Sequence, residues 1–329
     1  MGTTLRRAGL LSGLAGLLAL AGCGGGSAPA PAPSPPASAV APTASAPAAT
    51  TPPPVRPYAA LGDSYTSGLR IPPQQGTPRG CARSGVNYPS LVAARLGLSG
   101  QDFRDVSCSG ARTGDLTAPQ QAAGGANPAQ LEAVSDTTRL VTLGIGGNDV
   151  GFMDVLGRCA MESVKRSVAA ALTEQPGAEA PCRAHYSTGD GTDEVGRAIE
   201  ATGPKVAEAV REIRRRAPLA RVLLVGYPAM LPADPAACAA TLGSGVAPGD
   251  LAFLAEKQRQ LDAMLRRSAE QAGGVFVDTS TPSAGHDMCA GEDERWVEPP
   301  LPAAGLAPLH PNARGEQGMA AAVLAAVTP

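Results

Sequence analysis

Three polar side chains in this sequence could share one reaction. Ser64 follows Gly62 at the end of the apolar run from Tyr58 to Leu61, Asn148 follows the glycines that close the run from Leu140 to Leu143, and His310 precedes a helical C-terminal stretch. A serine hydroxyl is too weak an acid to attack a carbonyl carbon unaided; it needs a base with a pKa near neutrality, and imidazole is the natural choice. His310 is the candidate base. The attack creates a negative oxygen that requires preorganised donors, for which the candidates are the backbone N–H groups of Ser64 and Gly110 and the side-chain amide of Asn148. Gly110 qualifies because a residue without a side chain lets its N–H approach a ligand closely. Each has a plainer reading on its own: Ser64 as a helix cap, Gly110 as a turn glycine.

Such residues need a frame that brings them together. The apolar stretches 58–61, 103–106, 140–143, 221–225 and 275–277 read as five short strands. Between them, Asn87 opens a helix, Pro204 starts an amphipathic one, Asp250 caps a long one, and a last helix covers roughly 314–327. The alternation implies an α/β domain with a parallel sheet covered by helices on both faces. Residues 159–203 read as an insertion able to build a substrate rim, and Phe152 and Met153 as acyl-pocket lining or core. Gly144-Ile145-Gly146 is not a dinucleotide fingerprint, since Asn148 and Asp149 stand where that motif needs its last glycine. The stretch from Gly62 to Thr66 also lacks the second glycine of the Gly-x-Ser-x-Gly elbow.

Ser64 in its Gly62-Asp63-Ser64 setting resembles the first block of the SGNH (GDSL-type) hydrolases, Cys108-Ser109-Gly110-Ala111 the second, Gly146-Gly147-Asn148-Asp149 the third and His310 the fifth. The likeness runs from Tyr58 to the C-terminus, and its secreted, three-disulfide actinobacterial lipase/esterase branch is the nearest in pattern. It implies a three-layer α/β/α sandwich with a five-stranded parallel sheet in the flavodoxin-like order 2-1-3-4-5, with Ser64 and Asn148 at the switch-point crevice. It further implies Ser64 as nucleophile, His310 as base and an oxyanion hole of Ser64, Gly110 and Asn148; with three histidines and no spaced ligand cluster, no metal or other cofactor is expected. One departure stands out. Members with a full triad carry Asp three residues before the histidine, where this chain has Ala307. Some secreted relatives use a backbone carbonyl there, which implies that the Ala307 carbonyl accepts the His310 Nδ1–H in a Ser64/His310 dyad. Asp287 within hydrogen-bond distance of the ring would overturn the dyad. Asp63 and Asp149 read as structural, and His286 as structural or as a substrate contact. The expected activity is hydrolysis of lipid or small acyl esters through an acyl-serine. The alternatives are a polysaccharide O-acetylesterase and, in another class, a non-catalytic envelope binding lipoprotein.

The rest of the sequence concerns address. Arg6 and Arg7 precede an apolar run ending in Leu20-Ala21-Gly22-Cys23, which resembles a lipoprotein signal: residues 1–22 as signal peptide, Cys23 as the lipidated residue, 23–57 as a Pro/Ala-rich tether and 58–329 as the enzyme domain. At about 3.1 Å per residue, a polyproline-like tether of about thirty residues reaches roughly 90 Å. This predicts an exported monomer, lipid-anchored on the outer face of the cell membrane. The six remaining cysteines suggest three disulfides, and arithmetic alone leaves 15 pairings open. The family resemblance implies Cys81–Cys108, Cys159–Cys182 and Cys238–Cys289. A net charge of −2 gives no electrostatic case for nucleic acid.

Overall fold

In a computed structural model, the described residues are 55–173, 179–242 and 246–327. The expected signal peptide, Cys23 and nearly all of the tether lie outside them. The described residues belong to one compact unit. Its centre is a parallel sheet of β1 (Tyr58–Gly62), β2 (Phe103–Asp105), β3 (Leu140–Gly144), β4 (Arg221–Val225) and β5 (Val275–Val277). The spatial order is β2-β1-β3-β4-β5, the expected 2-1-3-4-5. β1 pairs with β3 from Tyr58↔Leu140 to Gly62↔Gly144, so these two strands end together at the switch point.

Strand alternation divides the core. Ala59, Leu61, Val141, Leu143, Val222 and Leu224 enter the larger cluster with the helices of one face. Tyr58, Ala60, Leu140, Leu223 and Val225 enter the other with Tyr88, Val92, Met319 and Val323. A strand of period two thereby feeds two cores at once, which is why these runs are apolar throughout rather than alternating. The first face carries α4 (Phe152–Thr173), α6 (Glu194–Arg216) and α7 (Pro248–Gln271). The opposite face carries α2 (Tyr88–Arg95) and α8 (Ala313–Val327). Shorter α1 (Ser64–Ser67), α3 (Gly147–Val150) and α5 (Pro181–His185) complete the helices needed below.

Two local expectations change. The helix expected to begin at Pro204 begins at Glu194, with the Asp193 carboxylate accepting from Gly196 N–H at 2.9 Å, and Pro204 lies inside it. An interior proline costs about 3 kcal/mol, but Val195, Ile199 and Thr202 before it and Val206, Val210 and Ile213 after it are all buried, so packing holds one helix across the break. Asp250 does not cap its own helix, whose N-cap is Ala247. Its carboxylate instead accepts from Cys182 N–H at 3.1 Å and Arg183 N–H at 3.0 Å, capping α5 across space. A carboxylate at a helix N-terminus is favourable whichever helix it belongs to.

The cysteines are joined as Cys81–Cys108, Cys159–Cys182 and Cys238–Cys289, closing 27, 23 and 51 positions. The first ties the loop before α2 to the exit of β2, where Ser109 N–H also donates to the Cys81 carbonyl at 3.0 Å. Removing it as Cys81→Ser/Cys108→Ser should lower stability by about 3 to 4 kcal/mol on the chain-entropy account. Denaturant unfolding measures this, and an unchanged midpoint contradicts it.

Candidate active site

At the carboxyl end of β1 the backbone turns in a space that admits only glycine. A Cβ on Gly62 would stand 2.2 Å from Thr66 Oγ1 and 2.6 Å from the Gly144 carbonyl oxygen. Buried Gln130 clamps that turn from both sides: its Oε1 accepts from Gly62 N–H at 2.7 Å and its Nε2 donates to the Gly62 carbonyl at 3.0 Å. Asp63 N–H then donates to Gly144 O at 2.9 Å, joining the ends of β1 and β3. The Asp63 carboxylate caps α1 by accepting from Tyr65 N–H at 2.9 Å, which leaves Ser64 at the first position of that short helix. The Ser64 and Gly110 N–H groups have no acceptor among the described residues.

His310 arrives from the other end of the chain on a strained loop. Leu309 adopts φ 61°, a left-handed conformation costing about 1–2 kcal/mol for a residue with a side chain. It is held from two sides: Leu309 N–H donates to Glu298 O at 3.1 Å, and the Tyr65 hydroxyl donates to Leu309 O at 2.5 Å. The Tyr65 ring also lies 4.9 Å from the His310 ring, centroid to centroid. The result is a 2.8 Å hydrogen bond between His310 Nε2 and Ser64 Oγ, with both residues buried.

The other ring nitrogen corrects one expectation. His310 Nδ1 lies 2.7 Å from the Pro308 carbonyl oxygen, not that of Ala307. The left-handed turn at Leu309 folds the preceding peptide back beneath the imidazole, while the Ala307 carbonyl accepts from the His310 backbone N–H at 3.4 Å. A carbonyl can only accept, so Nδ1 carries the hydrogen and Nε2 is left as the acceptor for the serine hydroxyl. Asp287 is turned elsewhere, its carboxylate accepting from Cys289 N–H at 2.9 Å. His286 stacks on Trp296 with centroids 4.7 Å apart and bonds through Nδ1 to Glu294 O. Among the described residues no carboxylate bonds to the His310 ring.

Asn148 sits on α3, just past β3. Its Nδ2 donates to Ala111 O at 3.0 Å, leaving the second amide hydrogen free for a ligand. Asp149 fastens the same loop by accepting from Thr113 N–H at 2.9 Å and Thr113 Oγ1–H at 2.5 Å. Gly110, at φ 80°, lies on the turn bound in this way. Tyr227, which sequence reasoning passed over, links the two loops: its hydroxyl accepts from Gly147 N–H at 2.9 Å and donates to Asp63 Oδ2 at 2.7 Å. Burial pushes the Asp63 carboxyl up to about 7, against the pull of the Tyr227 and Tyr65 donors. The only sequence signals for these tyrosines are their places immediately after Ser64 and at the exit of β4.

Ser64 and Asn148 border a narrow slot of about 20 Å³ lined by Phe152, Met153, Met230 and Leu261. That holds little more than one water, so an acyl group must displace side chains, which flexible Met153 and Met230 permit. Beyond it lies a wider, apolar cavity of about 430 Å³, lined by Leu156, Gly157 and Ala160 of α4, Leu251 and Leu254 of α7, Leu301 and Leu309. Leu309 adjoins the histidine. Met153, Gly157 and Ala160 recur at helical spacing on α4, so slot and cavity share one helix face.

A serine bonded to an imidazole above an apolar recess is the arrangement of a serine ester hydrolase, and sequence comparison agrees. Residues 60–317 match the GDSL-like Lipase/Acylhydrolase family, and the chain belongs to it. It is 39% identical over 267 residues to Lipase 2 of Streptomyces coelicolor, covering 80% of this chain and 83% of that one. It is 32% identical over 269 residues to a lipase of Streptomyces rimosus, covering 79% and 82%. Among solved structures, the extracellular lipase of Streptomyces rimosus aligns with TM-score 0.64 at 28% identity, covering 82% of this chain and 99% of that one. The phospholipase A1 of Streptomyces albidoflavus aligns with TM-score 0.63 at 26% identity, covering 82% and 98%.

Burial holds the His310 imidazolium below its ordinary value of 6.5; the Pro308 carbonyl opposes that shift and the Arg70 guanidinium adds to it. To act as the base expected from the sequence, His310 must be neutral, and on that assignment kcat/KM should rise with pH through a midpoint below 6.5. Arg70→Ala removes a nearby positive charge, eases protonation and should move the midpoint to higher pH. A pH–rate profile measures both, and a shift to lower pH contradicts the assignment.

Proposed function

We propose that the protein hydrolyses carboxylic esters of lipids and small acyl compounds through an acyl-Ser64 intermediate, with a Ser64/His310 dyad. The observation that carries this reading is the 2.8 Å contact of His310 Nε2 with Ser64 Oγ. Ser64 Oγ attacks the ester carbonyl carbon as its proton passes to Nε2, and the oxyanion is held by Ser64 N–H, Gly110 N–H and the free Asn148 amide hydrogen. Collapse breaks the C–O bond, and the departing alcohol takes the proton from Nε2. Water then attacks the acyl-serine by the same route, with His310 again taking and returning the proton. The Pro308 carbonyl fixes the tautomer but carries no charge; charge-assisted bonds are about twice as strong as neutral ones, so this acceptor stabilises the imidazolium less than an aspartate would.

The relatives named lipase and phospholipase A1, together with the apolar cavity beside Leu309, favour a long acyl chain over acetyl. A polysaccharide O-acetylesterase would leave that cavity without use. A non-catalytic binding protein has no need of a bonded serine and histidine. In the cell we place the enzyme outside the membrane, as a monomer anchored by lipid on Cys23. Three disulfides suit an oxidising compartment.

Hydrolysis of p-nitrophenyl esters of increasing chain length tests the reading. Ser64→Ala should lower turnover roughly a thousandfold or more, and Asn148→Ala by roughly a hundredfold through the lost oxyanion donor. Equal rates for wild type and Ser64→Ala would sink the mechanism.

A further inference from the structure

The apolar lining of the wide cavity does not stop at its rim. Gly157 and Ala160 line it from α4, and Met161, Val164, Val168 and Leu172 continue along the same face of that helix at three- and four-residue spacing. These four are 56%, 55%, 54% and 80% exposed, and Leu301, on the cavity lining, is 92% exposed. They make up five of the seven large apolar side chains most exposed among the described residues, the others being Leu219 and Val275. The fold gains nothing from this stripe, because α4 already packs Phe152, Val155, Leu156 and Cys159 inward on its opposite side. A contiguous exposed apolar patch signals a binding surface.

From this continuity, and resting on the lipid-ester reading above, we infer that the outer face of α4 with Leu301 docks on the surface of a phospholipid bilayer. Docked in this way, the mouth of the acyl cavity opens into the lipid, and a chain can pass from bilayer to Ser64 without crossing water. Charge does not oppose the same occupant: α4 carries Arg158, Lys165 and Arg166 against Asp154 and Glu162, a net +1, with Arg158 and Lys165 paired to Glu162 at 3.9 and 2.8 Å, so an anionic headgroup meets no net repulsion. The expected anchor fits it, since a tether reaching roughly 90 Å leaves the domain free to present this face to the membrane.

The test uses the chain from residue 23 onward with Cys23→Ala, so that neither the apolar signal segment nor a lipid on that thiol contributes, and vesicles of phosphatidylcholine with phosphatidylglycerol. Val164→Asp/Val168→Asp should weaken co-sedimentation with vesicles at least tenfold and lower hydrolysis of vesicle lipid in proportion. Hydrolysis of soluble p-nitrophenyl acetate should not change. The milder Val164→Ser/Val168→Ser should show an intermediate loss at an unchanged melting temperature, which separates docking from misfolding. Unchanged sedimentation overturns the inference. So does a wild-type dimer that the substitutions dissociate without loss of vesicle binding, because the stripe would then belong to a second copy. If the wild type leaves p-nitrophenyl esters of every chain length intact, the hydrolase reading fails, while the sedimentation comparison still decides docking.

Discussion

The hydrogen bond between Ser64 and His310 joins residues 246 positions apart, and the surrounding structure can be read as the means of closing that distance. β1 and β3 end in register so that Ser64 and Asn148 face one crevice. On the other side, Tyr65 reaches across to the Leu309 carbonyl and fixes the residue before the histidine. The left-handed strain at Leu309 is tolerated because Glu298 and Tyr65 hold both of its peptide groups, as expected where a site over-determines its backbone. The proposed nucleophile and base are therefore positioned by neighbours in sequence: Ser64 by the cap at Asp63, His310 by the turn at Leu309.

A second layer of contacts couples the proposed oxyanion donors to Ser64. Asp63, Tyr227 and Gly147 form one hydrogen-bonded chain from the residue before Ser64 to the residue before Asn148. Asp149 and the Asn148 amide bind the loop of Gly110 to the same helix. Preorganised donors are worth more in a dry site than in water because they need not reorient as charge develops. Every link is a rigid tyrosine ring, a short polar side chain or a backbone group, which keeps the geometry stiff while the apolar walls, with two methionines at the slot, remain adaptable.

Much of this was legible in the sequence. The five strands, their parallel arrangement and their order follow from apolar runs that break at glycine and from the family pattern. The convergence of Ser64, Asn148 and His310 could be expected only from that resemblance, since spacing along a chain does not say which loops meet. What escaped was set by tertiary contacts. Packing carried a helix through Pro204, and Asp250 found a better use on a neighbouring helix than on its own. The acceptor for His310 moved from Ala307 to Pro308 because one residue took a left-handed conformation, which nothing in leucine's chemistry announces. Gln130, Tyr65 and Tyr227 escaped because a buried polar side chain is recognised only by the partners it meets.

The central claim is that Ser64 is made nucleophilic by His310. Covalent labelling tests it most directly: react wild type and His310→Ala with an activated aryl phosphonate ester, digest, and locate the adduct by mass spectrometry. The account predicts one adduct, on the peptide containing Ser64, formed rapidly in the wild type and at a small fraction of that rate without the imidazole. An adduct on a different residue, or labelling of Ser64 at the same rate in both proteins, would contradict it.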